Sequence, residues 1–228
     1  MLEINKVYQG DCLEVMKDID DNSIDLIVTD PPYLINYKTN HRKNKEHEFC
    51  SVIQNDNNPL LISEYIKQCN RIMKDNSAMY MFCSCDKVDF FKQELEKYFK
   101  IKNIIIWVKN NWTAGDLKGQ FGKQYEMILL VNKGRKEING KRYSDVWNFK
   151  RVAGNKQTHQ NEKPVNLIEQ CISSHSTKND LVFDGFAGSG TTGVACKNLN
   201  RNYILIEKEP KYIDIINKRL SEQVQITI

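Results

Sequence analysis

No stretch of this sequence stays apolar for long. The longest such run is Ile104-Ile105-Ile106-Trp107-Val108, far short of the roughly 20 residues that a membrane-spanning helix needs. The first residues, Met-Leu-Glu-Ile-Asn-Lys, lack the apolar core of a secretory signal. Internal repeats and low-complexity tracts are missing too. With 40% hydrophobic and 27% charged residues, the composition is that of a globular chain, neither collagen-like nor disordered. The 7 cysteines are scattered, and only Cys83 and Cys85 stand close together. An odd number without a second close pair argues against both a disulfide framework and a zinc site. Free thiols in a reducing cytoplasm, and no metal, are the expectation. At 228 residues the chain reads as one domain spanning 1–228.

What is present is an uneven charge. The net charge is +4, yet residues 132–163 hold nine Lys/Arg against three acids. A second basic cluster, Lys38, Arg42, Lys43 and Lys45, follows Tyr33. Charge runs of this kind serve either as solvated loops or as a nucleic-acid footprint, and charge alone does not choose between them.

Hydrophobic periodicity predicts strands at 4–8, 24–29, 78–83, 101–109, 125–131, 181–184 and 203–207. It predicts helices at 12–19, from Asn58-Pro59 onward, at 87–99, from Pro164, at 191–199 and from Pro210. Residues 34–58 are polar and aperiodic, a loop long enough to be functional. Residues 132–160 show little periodicity. Strands alternating with helices predict a three-layer α/β domain with a mainly parallel sheet. In such folds ligands lie beyond the carboxyl ends of the strands.

Two strand ends carry chemistry. Strand 181–184 runs into Gly185-Phe186-Ala187-Gly188-Ser189-Gly190-Thr191-Thr192-Gly193, a G-x-G-x-x-G turn opening a helix. Glycines let the backbone approach a ligand, and the helix presents free N–H groups. Glu207 ends the next strand, where an acid can accept from ribose hydroxyls. This set points to an adenosine-containing cofactor without choosing between NAD, FAD and S-adenosylmethionine. No lysine follows the last glycine, so a triphosphate-binding loop does not fit.

The other strand end is Asp30-Pro31-Pro32-Tyr33. The amine on a nucleobase is a poor nucleophile because its lone pair is delocalised. A carboxylate at Asp30 and the Pro31 carbonyl can both accept from it and draw the nitrogen toward sp³. The prolines hold these acceptors rigid. The Tyr33 ring offers a stacking platform for a base taken out of its helix.

Through these motifs the chain resembles the amino-methyltransferases that act on DNA. D-P-P-Y precedes F-x-G-x-G, so the order is similar to that of their β group. The resemblance covers nearly the whole chain and implies a Rossmann-like methyltransferase fold with permuted motif order. It implies S-adenosylmethionine as cofactor, held by Asp11, Lys163, Asp184, Phe186, Gly188, Ser189, Gly190, Thr191, Thr192 and Glu207. The catalytic set is Asp30, Pro31, Pro32 and Tyr33. Asp at the head of that tetrapeptide favours adenine N6 over cytosine N4. Gly185 stands where proline is usual, which would loosen the turn. Asn161-Glu162 replaces the usual residues before Lys163.

The resemblance also implies double-stranded DNA as partner, with no membrane. Residues 34–58 become a mobile substrate loop, and 132–158 a short target-recognition segment. Lys38, Arg42, Lys43, Lys141, Arg142, Lys150 and Arg151 are the DNA-binding candidates. Trp107 is assigned to the core, and His159 and His175 to the surface or to helix caps. A homodimer and a paired restriction endonuclease are both compatible. The rival readings are cytosine-N4 or RNA-adenine methylation, a non-catalytic nucleic-acid-binding subunit, and a nicotinamide oxidoreductase. The last leaves Asp30 to Tyr33 unexplained.

Overall fold

The computed structural model describes residues 2–35, 56–112, 117–153 and 162–222. Lys38, Arg42, Lys43, His159, most of the 34–58 loop and residues 154–158 of the recognition segment lie outside the described residues. In chain order the elements are β1 (Lys6–Gln9), α1 (Cys12–Met16), β2 (Ile24–Thr29), α2 (Pro59–Ile72), β3 (Met73–Cys83), α3 (Val88–Glu96) and β4 (Lys100–Val108). Then come β5 (Tyr125–Lys133), β6 (Val146–Asn148), α4 (Val165–His175), β7 (Leu181–Asp184), α5 (Thr191–Asn198), β8 (Asn202–Glu207) and α6 (Pro210–Glu222).

The strands form one sheet in the order β1-β8-β7-β2-β3-β5-β4-β6. Every neighbouring pair is parallel except β3/β5 and β5/β4. The expected mainly parallel α/β sheet is therefore the observed one. β2 lies in its middle, and its run Ile-Asp-Leu-Ile-Val-Thr is buried apart from Asp25. A strand covered on both faces needs such a near-continuous apolar run. Alternate residues divide between two cores. Ile27, Met79 and Leu129 pack with α1, α2 and α3 on one face. Leu26, Tyr80 and Ile128 pack with α4, α5 and α6 on the other.

Local signals explain the element ends. Asn58 caps α2 by accepting from the Leu61 N–H at 3.3 Å, with Pro59 in the first turn. The buried face of α2 is Leu61, Ile62, Tyr65, Ile66, Cys69 and Ile72, the helical spacing of a core-facing stripe. Two features depart from the expected elements. β3 starts at Met73, well before Ala78; its first residues include Asn76 at φ 59°, where the pairing with β2 is irregular. β6, inside the aperiodic 132–160 stretch, is a strand of only 3 residues paired to β4. A strand so short leaves no periodicity to detect.

Candidate active site

β2 and β7 are parallel neighbours, with Ile27 beside Phe183. Both therefore deliver their following turns to the same edge of the sheet, ~4.8 Å apart in the strand-to-strand direction. β8 adjoins β7, and β1 adjoins β8 with Gln9 beside Glu207. Asp30, Asp184, Glu207 and Asp11 thus leave four successive strands along one rim. The D-P-P-Y turn and the glycine turn thus begin at neighbouring strand ends on one edge of the sheet.

The glycine turn is built from the inside. Buried Asp184 accepts from the Thr192 hydroxyl at 2.6 Å and from the Phe186 N–H at 3.0 Å. Burial outweighs these donors and raises its carboxyl to about 7. Gly188 and Gly190 take left-handed φ of 54° and 81°, and a Cβ at Gly190 would stand 2.7 Å from Ile216 Cγ2. The Glu207 carboxylate spans the turn, accepting from Gly188 N–H and Glu209 N–H, each at 2.8 Å. Burial raises its pKa against those two donors. Asp11 caps α1 by accepting from the Leu13 N–H and pairs with Lys208 at 3.2 Å. Gly185, where proline is usual in the resembling family, lies against the Tyr65 ring. A Cβ there would lie 2.5 Å from Tyr65 Cε2, and the Tyr65 ring meets Phe186 edge-on at 4.8 Å. The tyrosine fills the space that a proline ring would take.

At the other turn, the two oxygens of Asp30 each accept a close hydrogen bond. The Tyr33 hydroxyl donates to Oδ1 at 2.6 Å, and Lys163 Nζ donates to Oδ2 at 2.6 Å. Lys163 also reaches Glu126 Oε2 at 3.2 Å and Tyr33 Oη at 3.1 Å. The other oxygen of Glu126 holds Lys109 at 2.5 Å. Two carboxylates and two ammonium groups thus form a neutral, half-buried quartet. Burial disfavours ionisation of Glu126, but Lys163 and Lys109 overcome it and hold the carboxyl at about 2. For Asp30 burial prevails over Lys163, and its pKa rises.

Residues 24–218 match the sequence profile of a family described as DNA methylase. The chain belongs to the DNA methylase family. It is 33% identical over 244 residues to the type II methyltransferase M2.MboI of Moraxella bovis, covering 95% of this chain and 87% of that one. It is 30% identical over 255 residues to the DNA adenine methyltransferase YhdJ of Escherichia coli K12, covering 96% of this chain and 83% of that one. Among solved structures, the M1.HpyAVI–SAM complex superposes with a TM-score of 0.70 at 29% identity, covering 94% of this chain and 98% of that one.

In this methylase the sequence-predicted residues fall into two groups. The expected catalytic and cofactor residues share the carboxyl rim. Lys163, expected with the cofactor, puts its ammonium on Asp30 and Tyr33. The basic candidates separate. Phe149 N–H bonds Val108 O and Arg151 N–H bonds Asn110 Oδ1, so Lys150 and Arg151 sit on the same carboxyl rim. Arg142 instead lines a cavity of about 390 Å³ with Asn103, Ser174 and His175, near the end of α4 remote from Lys163. Trp107 is core, 2% exposed, with its indole N–H bonded to Phe149 O. His175 is not a surface or capping residue: it is buried against the Tyr80 hydroxyl at 2.6 Å, and burial lowers its pKa to about 4.

Two contributors were missed. Arg219 of α6 donates to Ser189 O and Oγ, both at 2.8 Å, and pairs with Glu162 at 3.1 Å. It ties the glycine turn to the segment carrying Lys163. A basic residue in the last turn of a helix points by itself only to the helix dipole. Glu126 lies at the start of β5, whereas ligand-binding residues of parallel α/β sheets follow strand ends. Among the described residues, no helix is long and apolar enough to cross a membrane.

Proposed function

We propose that this chain transfers a methyl group from S-adenosylmethionine to the N6 amino group of a flipped adenine at specific sites in double-stranded DNA. The observation that carries this reading is the shared rim: a carboxylate suited to an amine and a glycine turn suited to an adenosine cofactor end neighbouring strands. D-P-P-Y ahead of the glycine turn supports placement in the β group. Asp at position 30 and the likeness to an adenine-specific relative support adenine, although the family includes enzymes of both N6 and N4 type.

The glycine turn fits the cofactor, because Gly188 and Gly190 put no side chain on it and Glu207 is pinned beside it. Asp11, Asp184, Phe186, Gly188, Ser189, Gly190, Thr191, Thr192 and Glu207 would hold it. Bound there, it supplies a methyl group on a sulfonium that leaves readily. The protein's work is then positioning and desolvation. Asp30 and the Pro31 carbonyl accept from the amine and aim its lone pair. Tyr33, anchored through its hydroxyl, sets the plane on which the base stacks. Lys150 and Arg151 hold backbone phosphates.

The test is nucleoside analysis of DNA treated with the protein and S-adenosylmethionine. N6-methyldeoxyadenosine is expected, and N4-methyldeoxycytidine as the product would overturn the adenine reading. Asp30→Ala should abolish transfer while S-adenosylhomocysteine binding stays within about twofold. An active Asp30→Ala removes Asp30 from the mechanism.

A further inference from the structure

The quartet raises a problem for any amine that comes to Asp30. Lys163 donates to the same carboxylate, and a nitrogen that gains a methyl group gains positive charge. An ammonium left on Asp30 Oδ2 would compete for the acceptor and repel the charge that develops. Lys163 cannot simply retreat, because its side chain is 7% exposed and a buried cation needs a partner. Glu126 is the partner within reach. Its Oε2 lies 3.2 Å from Lys163 Nζ, while its Oε1 is anchored by Lys109.

We propose that Glu126 is a positioning residue that draws the Lys163 ammonium off Asp30 as the target amine takes its place. The proposal rests on reading Asp30 as the amine acceptor. Lys163 carries three N–H protons, and its three acceptors are Asp30, Glu126 and the Tyr33 oxygen. Moving its weight to Glu126 breaks one hydrogen bond that the amine replaces. The site keeps its neutrality, and Asp30 keeps its charge for the base. The groups facing Asp30 are Tyr33 on its own turn, Lys163 before α4, Glu126 at the start of β5 and Asp184 at the end of β7.

The experiment compares wild type, Glu126→Gln, Lys163→Met and the double variant, assayed for methyl transfer at alkaline pH. Emission from 2-aminopurine placed next to the target adenine, which keeps its 6-amino group, reports extrusion of that adenine independently of turnover. Glu126→Gln leaves Lys163 fixed on Asp30. It should lower kcat and 2-aminopurine emission by roughly tenfold or more, with S-adenosylhomocysteine affinity unchanged. Adding Lys163→Met should recover a substantial part of both signals, which a merely structural role cannot produce. Glu126→Asp keeps the charge and should recover activity, which guards against a folding defect in Glu126→Gln. Glu126→Gln within about twofold of wild type, or a double variant no better than Glu126→Gln, overturns the exchange. A wild-type protein that methylates no adenine overturns the functional reading itself.

Discussion

A Cβ on residue 185 would stand 2.5 Å from Tyr65 Cε2 and 2.8 Å from its hydroxyl oxygen. The Tyr65 oxygen is in turn 2.9 Å from Thr29 Oγ1, so the ring bridges the end of β2 and the start of the glycine turn. The ring is fully buried. Gly185→Ala should therefore cost about 1–3 kcal/mol of unfolding free energy, the range for an overpacked core. Gly185→Pro should cost at least as much, even though proline is the usual residue in the resembling family. Equilibrium denaturation of the two variants measures this, and an unchanged midpoint would show that Tyr65 can give way.

The separation of the basic residues predicts unequal roles on DNA. Neutralising Lys150 and Arg151 should reduce the slope of log affinity against log salt by about 2, roughly one for each phosphate left without its cation. Neutralising Lys141 and Arg142, which precede β6 toward the other edge, should leave it nearly unchanged. Fluorescence anisotropy with a duplex across a salt series checks both. Equal slopes for the two double variants would place the DNA elsewhere.

Asp184 makes stability depend on pH. Its folded pKa is about 7 against an ordinary 3.8, so between those values the folded state binds the proton and the unfolded chain does not. Its contribution is fully present below about 4 and is lost as pH rises through 7. His175, held at about 4 against an ordinary 6.5, acts with the opposite sign, losing stability as pH falls through that window. The difference between wild type and Asp184→Asn isolates the first effect. Over pH 4–7 wild type should lose up to ~1.4 kcal/mol per pH unit relative to the variant. Parallel stability curves would show that Asp184 is not the titrating group.

Much of this was legible because strand ends announce themselves. Pro31-Pro32 had to end β2, and the glycines after Asp184 had to make a turn, so both turns could be placed from the chain alone. Glu126, Arg219 and His175 are different in kind. Each is an ordinary residue in a regular element whose role comes from a neighbour distant in sequence: Lys163, Ser189 and Tyr80. Periodicity reports which face a residue occupies, not which partner waits there. The lysines and arginines of 132–153 looked like one patch because sequence adjacency hid the passage of β6 between them.

The reversal of β5 has one more consequence. Running against β3 and β4, it brings its beginning to the rim where they end, so Glu126 lies opposite Trp107. Side chains alternate along a strand, and a slip of one residue would send this carboxylate to the far face and seat Met127 in its place. Two lysines would lose their counter-charge together. The parity of a single strand pairing thus sets whether the cluster around Asp30 and Lys163 is electrically balanced.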